Sequence, residues 1–206
     1  MLWIFLLKGI AVGFCIAAPV GPIGALCIRR SLTEGRLVGF VTGLGAATAD
    51  AAYGGVAGFG LRAVSGFLIR ETFWFELVGG VVLCGLGVRI FRSPAVEPAA
   101  GARAAGLRAA YWSTLLLTLT NPTTILSFIA LFAGFGLSAI PHSLAAGLLV
   151  AGVFLGSALW SLLLSSGVGW FRARASSTWL RAVNRFSGGV ILVSGIYALL
   201  LCLRKG

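Results

Sequence analysis

The 206-residue chain is 59% hydrophobic and only 10% charged, with a mean hydropathy of +1.03 and 30 glycines. So few charged side chains cannot cover the apolar surface this composition would turn toward water, which excludes a water-soluble domain. Sixteen Lys and Arg against five Asp and Glu give a formal charge of +11, but the basic residues fall in short gaps between apolar stretches, which points to anionic lipid and membrane orientation and excludes nucleic acid as the partner.

A bilayer core of about 30 Å needs about 20 helical residues to cross. Gly9 to Ile28 is uncharged and predicts a first span. Its Ala17-Ala18-Pro19 resembles the end of a cleaved leader, yet no basic segment precedes it and the apolar run continues past it, so no cleavage is expected. Phe14 before Cys15 also argues against lipoprotein processing. Leu37 to Leu61 predicts a second span with Asp50 inside it, and Thr72 to Phe91 a third, with Glu76 and Arg89 near its two interfaces. A polar gap with Pro94, Pro98 and several Arg follows. Ala109 to Pro141, Ser143 to Phe171 and Phe186 to Leu203 carry no charge and predict three more. The expected fold class is all-α, a polytopic membrane protein of six transmembrane helices. It divides into a first three-helix unit (1–91), a basic cytoplasmic linker (92–110) and a second three-helix unit (111–206).

Arginines in short loops resist translocation. The first, third and fifth gaps hold eleven of them, including Arg29, Arg30, Arg36, Arg89, Arg92, Arg181 and Arg185, whereas the other side has Arg62, Arg70, Arg204 and Lys205. The odd gaps are therefore expected in the cytoplasm and both termini outside. Lys8 is expected to snorkel toward its near interface.

The halves share features. Gly21-Pro22 interrupts the first span and Asn121-Pro122 the fourth, and the spacing of Gly45, Asp50 and Tyr53 recurs in Gly152, Ser157 and Trp160. Repeats of three spans enter the membrane in opposite orientations and place a binding site between them near the midplane. A proline inside an apolar helix either kinks it for packing or restarts it. Asn121 and Gly21 suit a cap, and Pro22 and Pro122 suit a first helical position, so both sites read as restarts. The exposed amides of a restarted helix attract an anion, here a substrate carboxylate. Pro19 would keep the first break unwound, and Thr120 and Thr123 would offer hydroxyls beside the second.

Asp50 is the fourteenth of the 25 residues of its span. A charge at that depth costs about 2.5–3.5 kcal/mol on insertion scales, and such acids face an internal cavity. Gly39, Gly43, Ala47, Ala51 and Gly55 form a small-residue ridge, with Asp50 on the same face. An acid there can carry a proton, bind a substrate ammonium group, or hydrogen-bond a neighbouring helix. Tyr53 and Trp160 are either packing residues or cavity walls. Cys15, Cys27, Cys84 and Cys202 form no C-x-x-C pair and read as small apolar residues, and His142 as a loop residue.

With these positions in hand, the chain resembles the LysE translocator family of bacterial amino-acid exporters along essentially its whole length. The resemblance rests on Ala18-Pro19-Val20-Gly21-Pro22, on Arg29-Arg30-Ser31-Leu32 with Gly35-Arg36, on the glycine-rich second span with Asp50, and on Asn121-Pro122 and Trp160. It implies two inverted three-helix repeats in the bacterial inner membrane and export of amino acids or similar small zwitterions driven by the proton gradient. The implied transport residues are Pro19 to Pro22, Asp50 and Asn121-Pro122. The family's usual Pro-Gly-Pro is here Pro19-Val20-Gly21-Pro22, and Thr123 stands where a Lys commonly follows Asn-Pro.

Export of a metal or other cation is the alternative within the same superfamily, although Asp50 is the only acid deep in the spans. A thiol relay needs paired cysteines that the fourth span lacks. No base and nucleophile stand together, so an enzyme is not expected, and no cofactor. A non-transporting membrane assembly subunit would explain the packing motifs but not a central acid. The expected partners are an amino-acid-like molecule, protons and lipid, and a homo-oligomer is compatible with the sequence.

Overall fold

The computed structural model describes residues 2–19, 21–59, 70–93, 103–121, 124, 127–128, 143–171 and 177–205. Among them are seven helices: α1 (Trp3–Ala17), α2 (Pro22–Thr33), α3 (Arg36–Gly58), α4 (Thr72–Phe91), α5 (Arg103–Leu119), α6 (Ser143–Phe171) and α7 (Ser177–Lys205). Among the described residues two stretches, Ser143–Val168 and Thr178–Arg204, are long and apolar enough to cross a bilayer, and α1 with α2 makes a third if the bent pair is one span. Helix α3 has the length, at 23 residues, but Asp50 and its glycines lower its hydropathy.

The α1–α2 break follows from the prolines. Pro19 has no amide to continue α1, while Pro22 begins α2 at a position where an amide would have no helical acceptor. Gly21 between them is extended, and the two helices meet at 80°. A second break, from α2 into α3, depends on Gly35. Its φ of 114° and ψ of 161° are accessible to glycine alone, and its amide closes α2 on the Arg30 carbonyl at 3.0 Å.

Contact registers give the helix directions. Helices α1 and α6 run parallel, with Gly9 against Leu149 and Gly152, and Gly13 against Val153. Helices α3 and α5 are also parallel: Gly45 lies against Tyr111, and Tyr53 reaches Leu119. Antiparallel pairs are α3 with α6, through Gly43 and Ser161 and through Gly54 and Val153, and α4 with α7, through Gly87 and Leu192 and through Gly195 and Cys84. Glycine is required at the α1–α6 crossing, where a Cβ on Gly152 would lie 2.9 Å from both the Gly9 Cα and the Ile10 nitrogen.

Two apolar clusters hold the bundle, one of Val12, Tyr53, Phe128, Leu149 and Val153, the other of Ala25, Leu26, Leu83, Ile90, Leu117 and Ile191. Polar contacts tie one end together. The Arg29 Nε donates to Asn184 Oδ1 at 3.1 Å, Asn184 donates to the Ser93 carbonyl, and Arg36 donates to Ser166 Oγ at 3.0 Å. Arg30 reaches across to α3 and α5, donating to Thr42, Thr114, Ser113 and the Ala110 carbonyl. Glu76, expected near a membrane interface, lies in the second turn of α4 but is fully buried among the helices.

Candidate functional site

The α1–α2 break, the end of α5 and the middles of α3 and α6 line a partly open cavity of about 160 Å³. Pro19, Gly21 and Pro22 line it from the break, Asp50 from α3, Asn121 from beyond α5 and Trp160 from α6. Small residues of α3 open the space beside Asp50: Gly43 and Ala46 also line it, where a larger side chain would fill it.

Asp50 is only 3% exposed. Fully buried Ser157 donates its hydroxyl to Asp50 Oδ2 at 2.7 Å, so the corresponding positions of the two glycine-spaced segments meet at the cavity. Ser161, one turn further along α6, donates to the Ser157 carbonyl at 2.9 Å and also lines the space. The carboxylate is thus fixed by one hydroxyl and keeps accepting capacity toward the cavity.

The start of α2 lines the same cavity. The amides of Ile23 and Gly24 lie in the first turn of α2, where no helical acceptor precedes them, and both residues line the cavity. This is the positive end of the helix dipole. At the other break, the Asn121 amide donates to the Thr118 carbonyl and its own carbonyl accepts from the Thr124 amide, each at 3.1 Å. Asn121 is 5% exposed. Pro122 and Thr123 lie outside the described residues, as does His142. Thr118 and Thr124 line the cavity; Thr120 instead donates to the Leu116 carbonyl.

Trp160 forms a wall and is held edge-on by Phe14, with ring centroids 5.2 Å apart. Tyr53 takes a different place. It does not line the cavity, but packs on Phe128 and donates its hydroxyl to the Leu119 carbonyl at 2.6 Å. That carbonyl belongs to the last turn of α5, so Tyr53 fixes where the helix stops and Asn121 begins.

Thr118, Ser161 and Cys27 were not singled out by sequence, although Thr118 precedes Asn121 by one helical turn and Ser161 follows Ser157 by another. Cys27 is buried and lines the cavity one turn beyond Ile23. Among the described residues no three His, Cys, Asp or Glu side chains are grouped to hold a metal ion.

The chain is similar over most of its length to bacterial membrane proteins. The "Putative amino acid efflux protein YcgF" of Bacillus subtilis (strain 168) is 27% identical over 197 residues, which is 93% of each chain. The "Uncharacterized membrane protein YahN" of Escherichia coli (strain K12) is 30% identical over 178 residues, covering 84% of this chain and 78% of that protein. No solved structure matches. The LysE type translocator family matches residues 14–201, nearly the whole chain, and the protein belongs to that family of membrane transporters.

Proposed function

We propose that the protein is a secondary active transporter that exports amino acids or similar small zwitterionic metabolites across the cytoplasmic membrane in exchange for protons. One observation carries the reading: a buried carboxylate and the positive end of a broken helix face the same internal cavity. The carboxylate suits an ammonium group and the helix end a carboxylate, which are the two charges of an amino acid. The name of the Bacillus subtilis relative, amino acid efflux, supports both the substrate class and the direction.

The proposed architecture is six spans in two inverted three-helix repeats. It is supported by the packing, whose pattern survives exchange of the halves: α1 on α6 corresponds to α3 on α5, and both pairs are parallel. Helices α3 and α6 pack antiparallel at the equivalent residues Asp50 and Ser157, and α4 pairs with α7. One half rocking against the other would open the cavity to each side in turn. The arginine-rich end tied by Arg29, Arg30 and Arg36 is the cytoplasmic one in this reading, with both termini outside.

Purified protein in proteoliposomes, given a labelled amino-acid mixture with and without a pH gradient, tests the proposal. Gradient-dependent accumulation is expected. Flux no faster than in protein-free vesicles under both conditions would refute it.

A further inference from the structure

The size and charge of the cavity narrow the substrate. On the amino-acid transporter reading above, the cavity decides which amino acids fit. An apolar cavity of about 150 Å³ accepts one benzene-sized molecule. At about 160 Å³ the present space is comparable. It therefore accommodates roughly six to nine heavy atoms, the size of alanine, serine or threonine and up to leucine.

Charge narrows the class further. The chain has five acids: Glu34, Asp50, Glu71, Glu76 and Glu97. Only Asp50 lines the cavity among the described residues, and the whole stretch 103–171, which supplies two of its walls, has no acid. Glu34 caps the far end of α2, Glu71 pairs with Arg70 at 3.0 Å, and Glu76 is buried in α4. With Asp50 on the α-ammonium group, a second ammonium would be buried without a carboxylate. Such an uncompensated charge is rejected by about a hundredfold or more.

A second carboxylate fares no better. Arg29 and Arg30 are the nearest cations along α2, but Arg29 is held by Asn184, and Arg30 by Thr42, Thr114 and the Ala110 carbonyl. Neither lines the cavity. Besides Asp50, the lining offers a side chain apolar groups, among them Ile16, Ile23, Trp160 and Leu164, and uncharged polar ones such as Thr118 and Ser161.

We infer that the transporter takes small amino acids with uncharged side chains, and that Leu164 with Trp160 sets the upper size limit. Counterflow in proteoliposomes of the full chain tests this without a driving ion. Vesicles loaded with unlabelled serine, threonine, leucine, lysine, glutamate or phenylalanine are exposed to the same labelled compound. Exchange of serine, threonine and leucine is expected, with lysine, glutamate and phenylalanine at the level of protein-free vesicles.

Leu164→Ala enlarges the cavity without adding charge. It is expected to raise phenylalanine exchange relative to serine by about tenfold and to leave lysine excluded. Lysine or glutamate exchanged as fast as serine would overturn the substrate class while leaving the amino-acid reading intact. An unchanged phenylalanine-to-serine ratio in Leu164→Ala would overturn the size limit. If no amino acid exchanges at all, the transporter reading itself fails, and the inference with it.

Discussion

Replacing Asp50 by Asn removes the only carboxyl group among the described cavity residues while preserving its shape. The amide oxygen can still accept the 2.7 Å hydrogen bond from Ser157, so the α3–α6 contact survives. One carboxyl carries at most one proton per cycle. A gradient of one pH unit supplies about 1.36 kcal/mol per proton, which sustains about a tenfold substrate ratio across the vesicle membrane. The assay is accumulation of labelled serine in proteoliposomes, acidic on the side from which protons enter, with membrane potential clamped by potassium and valinomycin. Wild-type protein should approach a tenfold ratio and Asp50→Asn a ratio near one, both eluting as folded protein with similar thermal midpoints. A tenfold ratio maintained by the Asn variant would refute Asp50 as the proton carrier. Counterflow in the same variant separates the roles further: exchange persists if the carboxylate carries only the proton and falls if it also binds the ammonium group.

Other substitutions test the remaining parts. Gly152→Ala places a methyl group 2.9 Å from the Gly9 Cα, so overpacking of about 1–3 kcal/mol should outweigh a helix-propensity gain of about 1 kcal/mol. Gly147→Ala on the same helix meets nothing within 4 Å and should be neutral or stabilising; thermal unfolding in detergent gives the two signs. Asn121→Ala should weaken serine affinity about tenfold, read by binding calorimetry; equal affinity would make the second break a packing kink. Arg30→Ala loses charge-assisted hydrogen bonds to α3 and α5 and should cost about 2 kcal/mol, with Arg30→Lys recovering only part because an ammonium group cannot span the same acceptors. Equal thermal midpoints for wild type and Arg30→Ala would refute that bracing role.

Much of the site was legible in advance because its signals are local. A proline in an apolar run announces a lost hydrogen bond, and a lone acid in such a run announces a cavity, whatever surrounds them. Pro19, Gly21, Pro22, Asp50 and Asn121 were readable on those grounds, and all line the cavity. Tyr53 was not assignable. Its ring could have faced the cavity or the packing interior, and only the approach of α5 made the Leu119 carbonyl its partner. Thr118, Ser161 and Cys27 carry no local anomaly, since a hydroxyl or thiol in an apolar helix can bond its own preceding turn or face lipid equally well.

Composition and the placement of charge alone determined that this is a helical membrane protein with broken segments, because the cost of moving polar groups into lipid is set residue by residue. The matching glycine spacing also announced a relation between Asp50 and Ser157. Only the tertiary structure decided that the two side chains touch, which walls enclose them and how much volume is left. Those depend on helix directions and on the close approach of backbones at Gly9, Gly45 and Gly152, and a distance between helices is a property of the pair that neither sequence segment contains.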